Sequence, residues 1–151
     1  MKYKGNAISR EYRDVVIPRS NGDELRLKVS SITVGVRRDF DAIWPRPRVP
    51  IVVTQGKQGR EEKEDWRDVK FTTELDDRST LMNIYLLYRV LENDENVVFD
   101  NKPTDKDSLR KLADEIKESG LSEGDIIVIL KEAVLASNLT QEEIGKIKSD
   151  F

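Results

Sequence analysis

The sequence predicts an α+β fold in a single domain over residues 1–151: an N-terminal antiparallel β-hairpin or small sheet, then a C-terminal group of about four helices. Three observations lead there. Apolar and charged residues alternate on both sides of a turn-forming stretch around Gly22. Prolines crowd the segment that follows the next sticky run. Helix-start spacing then recurs through the last third of the chain. The expected partition is β-rich 1–54, a charged loop 55–75, and helical 76–151.

Residues 12–17 are β-prone and run into Pro18-Arg19-Ser20-Asn21-Gly22-Asp23, where Pro, Asn and Gly favour chain reversal. Beyond the turn Leu25, Leu27 and Val29 alternate with Arg26 and Lys28, the period of a strand with one buried face. Ile32, Val34 and Val36 alternate in the opposite phase, so a bulge or break is expected at Ser30-Ser31. Val36, Phe40, Ile43 and Trp44 fall at i, i+4, i+7 and i+8, which makes a short helix with one apolar side. Pro45 ends it.

The stretch Trp44-Pro45-Arg46-Pro47-Arg48-Val49-Pro50 is extended and stiff, because its prolines lack amide donors and bias the residues between them away from helix. It reads either as a strut between the β part and the helices or as a preformed binding segment with Trp and Arg anchors. Ile51, Val52 and Val53 suit a short strand. Residues 55–65 contain glycine and many charges but no apolar side chain, and read as a solvated loop that a partner would order.

Asp76 or Asp77 can cap a helix through Leu81, Met82, Ile84, Tyr85, Leu86, Leu87, Tyr88, Val90 and Leu91. That helix is apolar on nearly every side, so it requires cover on more than one face. Capping-box spacing follows at Thr104 with Asp107, Ser122 with Asp125, and Thr140 with Glu143. Leu121 with Ile126, and Leu139 with Ile144, occupy hydrophobic-staple positions. Gly120 and Asn138 suit helix ends. The last helix would pin Ile144, Ile147 and Phe151 into the core.

Composition then removes whole classes of chemistry. There is no Cys and no His, which excludes thiolate nucleophiles, disulfides and Cys/His zinc sites. General acid–base catalysis would fall to a carboxylate or lysine in a special pocket. Gly56-Lys57-Gln58-Gly59 is too short for a phosphate-binding loop. The acidic run Glu61, Glu62, Glu64, Asp65 and Asp68 lacks calcium-loop spacing. We therefore expect no enzyme, no cofactor and no metal. The N-terminus shows no apolar leader and no stretch matches a membrane span, so a cytoplasmic protein is expected.

Charge is uneven, with 13 basic and 6 acidic residues over 1–60 against 13 and 23 over 61–151. An acidic half repels phosphate, so nucleic acid is the less favoured partner, although Arg37, Arg38, Arg46 and Arg48 around Trp44 keep a nucleic-acid-associated regulator as the alternative of another class. Complementary halves suit contacts between copies or with a polarised partner. The candidate partner-binding residues are Phe40, Trp44, Arg46, Arg48, Tyr85 and Tyr88.

Taken together, the strand entering Ile17-Pro18 with its turn at Gly22, the Trp44-to-Pro50 arm, the charged loop, the Tyr/Leu-rich helix and the closing Asn138-Leu139-Thr140-Gln141-Glu142-Glu143-Ile144 segment resemble the layout of tail assembly chaperones and related small tail-morphogenesis proteins of long-tailed bacteriophages. The resemblance implies a non-enzymatic protein that binds the tape-measure protein or tail tube proteins, and its own copies, during assembly in the bacterial cytoplasm. A tail or connector subunit retained in the virion is the alternative within that family.

Overall fold

The computed structural model describes residues 1–138. The expected helix around Thr140, Glu143, Ile144, Ile147 and Phe151 lies outside the described residues. The architecture is α+β, with small antiparallel sheets in the N-terminal half and helices after them.

A two-residue pairing of β1 (Lys2–Tyr3) with β2 (Asn6–Ala7) opens the chain. The main hairpin joins β3 (Tyr12–Pro18) to β4 (Glu24–Ser30), with Val15 opposite Leu27 and Ile17 opposite Leu25. Directly opposed residues share a face. Val15, Ile17, Leu27 and Val29 accordingly bury together while Val16 on the other face stays half exposed. The strand does break at Ser30-Ser31, as the phase shift required, but no third strand follows. Arg10 donates from Nε to the Ser31 carbonyl at 2.8 Å and from Nη2 to the Arg89 carbonyl at 3.0 Å. The Ile32 amide is taken by Ser137 Oγ at 2.9 Å. Val34 is fully exposed, and Gly35, in the left-handed region at φ 86°, turns the chain into α1 (Val36–Ile43).

The expected charged loop is corrected by the structure. Instead of a loop over 55–75, β5 (Ile51–Gly56) pairs with β6 (Gly59–Glu64), and α2 (Val69–Leu91) starts at Asp68 rather than at Asp76 or Asp77. The hairpin closes on Lys57-Gln58 between Gly56 and Gly59, with Gly59 at φ 112°. Asp68 accepts the Phe71 amide at 2.9 Å as N-cap.

Then come α3 (Lys106–Glu118) and α4 (Glu123–Ala136). α4 carries the expected Ser122/Asp125 capping box. On α3 the box is one residue later than its expected place at Thr104, as Asp105 with Ser108. Gly120 at φ 88° and Asn138 at φ 58° adopt the left-handed conformation at the two helix ends.

α2 is the centre. It touches α1, α3, α4 and β4, which supplies the multi-sided cover its composition demands. Leu86, Leu87, Val90, Leu109, Leu112, Ile129 and Phe40 are at most 2 % exposed and form the core with the inner face of β3–β4.

Candidate protein-binding surface

Two of the residues expected to meet a partner are in the core. Phe40 is 0 % and Tyr85 4 % exposed, and their rings lie 5.7 Å apart. The sticky face of α1 is therefore spent on α2, because the amphipathic spacing that suggested adhesion is also the spacing of a core-facing helix. Tyr88 is half-buried, edge-on to Phe99 at 5.2 Å. Burial, then the negative charge of Glu92, raise its hydroxyl above the usual tyrosine range.

Trp44, Arg46 and Arg48 do reach the surface, Trp44 half-buried and the arginines exposed. The buried Arg78 of α2 fixes where they begin. Its Nε donates to the Trp44 carbonyl at 3.0 Å, its Nη2 pairs with Asp41, and its guanidinium lies 4.8 Å from the Phe40 ring centre. The end of α1 and the start of the proline arm are thus tied to the central helix. Over the Trp44 ring stand two further cations from α3, Lys106 Nζ at 4.9 Å and Arg110 Cζ at 4.8 Å. Each such contact at an exposed site is worth about 0.5–1 kcal/mol. The outcome is an indole with two exposed cations over its ring, Lys106 and Arg110, and two more exposed cations, Arg46 and Arg48, on the arm that follows it in sequence. Lys106 and Arg110 were invisible in sequence, since only the packing of α3 on α2 brings them to Trp44.

The second surface is the β5–β6 ribbon. Every residue of both strands is exposed, and the two strands pair only with each other among the described residues. Ile51, Val52 and Val53 are 59 %, 43 % and 44 % exposed, unlike the buried apolar residues of β3–β4. The register sets Ile51 against Glu64 and Val53 against Glu62, so one face carries an apolar column beside an acidic one. At the base the Asp65 amide donates to the Pro50 carbonyl at 2.8 Å. Trp66, 62 % exposed, sits edge-on to Phe71 at 5.9 Å. The ribbon is closed at its root by the bond from Asp65 to Pro50, and its strands pair with no other strand among the described residues. Val69 and Leu75, on the first two turns of α2, are further exposed apolar residues.

An apolar groove of about 230 Å³ lies between β4, α3 and the segment after α2, lined by Leu25, Leu27, Leu91, Val97, Phe99 and Ile116. Glu115 at its edge accepts the amides of Asp100 at 2.8 Å and Asn101 at 3.0 Å. Burial works against its charge, but those bonds prevail and hold its carboxyl below the usual range. Among the described residues no group of three or more carboxylates converges as a metal site, and no helix is long and apolar enough to cross a membrane. Compared with protein-family models, curated proteins and solved structures, the chain matches none.

Proposed function

We propose that the protein is a non-enzymatic assembly factor that works by binding other proteins, in the manner of the small tail-morphogenesis proteins its layout resembles. It would hold tape-measure or tail tube proteins during assembly in the cytoplasm of a bacterial host. The observation that supports this reading is the β5–β6 ribbon, exposed on both faces while carrying Ile51, Val52 and Val53. A lone two-stranded hairpin is at best marginally stable in water, and apolar residues on such a ribbon gain burial only when a partner covers them.

The test is co-purification from phage-infected cells, with the partners identified by mass spectrometry. The wild-type chain is expected to bring down a long coiled-coil tail protein or a tube subunit, and Ile51→Asp with Val53→Asp is expected to release it while the fold persists. Capture of neither protein by the wild type contradicts the proposal. A tail or connector subunit retained in the virion would instead be found in purified particles at fixed stoichiometry.

A further inference from the structure

We infer that the β5–β6 ribbon of one copy docks on the Trp44 face of a second copy, so that the chain associates head to tail; this rests on reading the ribbon as the binding element. The two surfaces match in kind. One ribbon face sets Ile51 and Val53 beside Glu64 and Glu62. The receiving face offers the Trp44 indole beside the exposed cations Lys106 and Arg110, with Arg46 and Arg48 on the adjoining arm. Apolar meets aromatic and carboxylate meets cation in one contact.

The contact is between copies rather than within one. The ribbon begins directly after Pro50, and Pro45, Pro47 and Pro50 stiffen the arm that leads to it from Trp44. At roughly 3 Å per residue the arm holds the root of the ribbon well away from the indole of its own chain. All ribbon residues are exposed in the single copy, so none is folded back on that face. Because ribbon and Trp44 face are different surfaces, the contact is heterologous and propagates into a ring or a filament. Each strand has six residues, so the ribbon is about 20 Å long. One face of it falls short of the about 800 Å² per partner of a standard stable interface. A single contact is therefore weak and salt-sensitive, and assemblies gain from closure.

Sedimentation of the full chain at low salt and at about 0.15 M salt tests this with two charge-reversed forms. One carries Glu62→Lys and Glu64→Lys on the ribbon; the other carries Arg46→Glu, Lys106→Glu and Arg110→Glu on the receiving face. All five positions are exposed, and thermal melts establish that both forms fold. Wild type is expected to self-associate more strongly at low salt. Each variant alone should associate more than about tenfold more weakly, and an equal mixture of the two should recover association, since both contacts are then complementary again. A monomeric wild type, variants that associate as wild type does, or a mixture that stays monomeric would each overturn the inference. So would retention of a short single-stranded DNA by the Trp44 face with no self-association, which would give that face to nucleic acid. A monomeric chain whose ribbon still captures a tail protein would sink the head-to-tail contact and leave the proposed function standing. Self-association without any tail partner would do the reverse.

Discussion

At the scale of single residues, Arg78 joins three parts of the molecule: the carbonyl of Trp44, the carboxylate of Asp41 and the face of Phe40. Removing it leaves a carbonyl without its donor, whereas Asp41 is half-exposed and turns to water. Arg78→Met keeps most of the volume and is predicted to cost about 1.5–3 kcal/mol in urea unfolding. A change within a few tenths would show that the tie to the arm is dispensable. Asp94 is also buried, accepting the Lys28 amide at 2.7 Å and the Asn96 amide at 2.9 Å. It secures the turn after α2 to the hairpin.

Carboxylates also set the pH response. Hydrogen bonds from Ser108 lower Asp105, those from Ser122 and then Arg19 lower Asp125, and Glu115 is lowered on balance as described. A depressed folded value means the contribution is complete above the unfolded value, near 3.8 for Asp and 4.5 for Glu. It is lost as pH falls through the lower folded values. With no His in the chain, no side chain titrates near neutrality unperturbed. Melting temperature is predicted to be level between about pH 6 and 8 and to fall below about pH 4. A steep change near neutrality would contradict this assignment.

At the scale of elements, some parts were legible and others were not, for physical reasons. Leu25, Leu27 and Val29 alternate against charged neighbours, so β4 and its buried face could be read directly. Ser122 with Asp125 marked the start of α4 for the same reason, since a cap is a local device. β6 left no such trace. Gly59–Glu64 has no apolar residue, and its pairing with β5 is carried by backbone hydrogen bonds and the glycine-flanked turn. Asp68 was hidden likewise, because the first turns of α2 bury Phe71 alone before Arg78. Asp68→Ala is predicted to cost about 1 kcal/mol. The loss should appear as faster amide exchange in residues 69–75 with the rest of α2 unchanged, and uniform destabilisation of the whole helix would contradict it.

At the scale of the whole molecule, α2 is the element on which α1, α3, α4 and β4 all lean. Leu87, 0 % exposed in the C-terminal half of α2, is predicted to cost about 2–5 kcal/mol on replacement by Ala. A milder loss in equilibrium unfolding would mean that the core closes around the space. The candidate contact residues are harder to read in sequence than the core. Phe40 and Tyr85 read as contact residues in sequence yet lie in the core, because an aromatic on an amphipathic face serves core and interface equally well. Lys106 and Arg110 were missed because their meeting with Trp44 is purely tertiary.

The ribbon as a docking element is the claim on which the functional account rests, and hydrogen exchange of its backbone amides tests it most directly. In dilute monomer the amides of 51–56 and 59–64 should exchange much faster than those of β3, β4 and α2, and in the assembled or partner-bound state they should become protected. Ribbon amides as slow as the core in the free chain, or still fast in the complex, would contradict it.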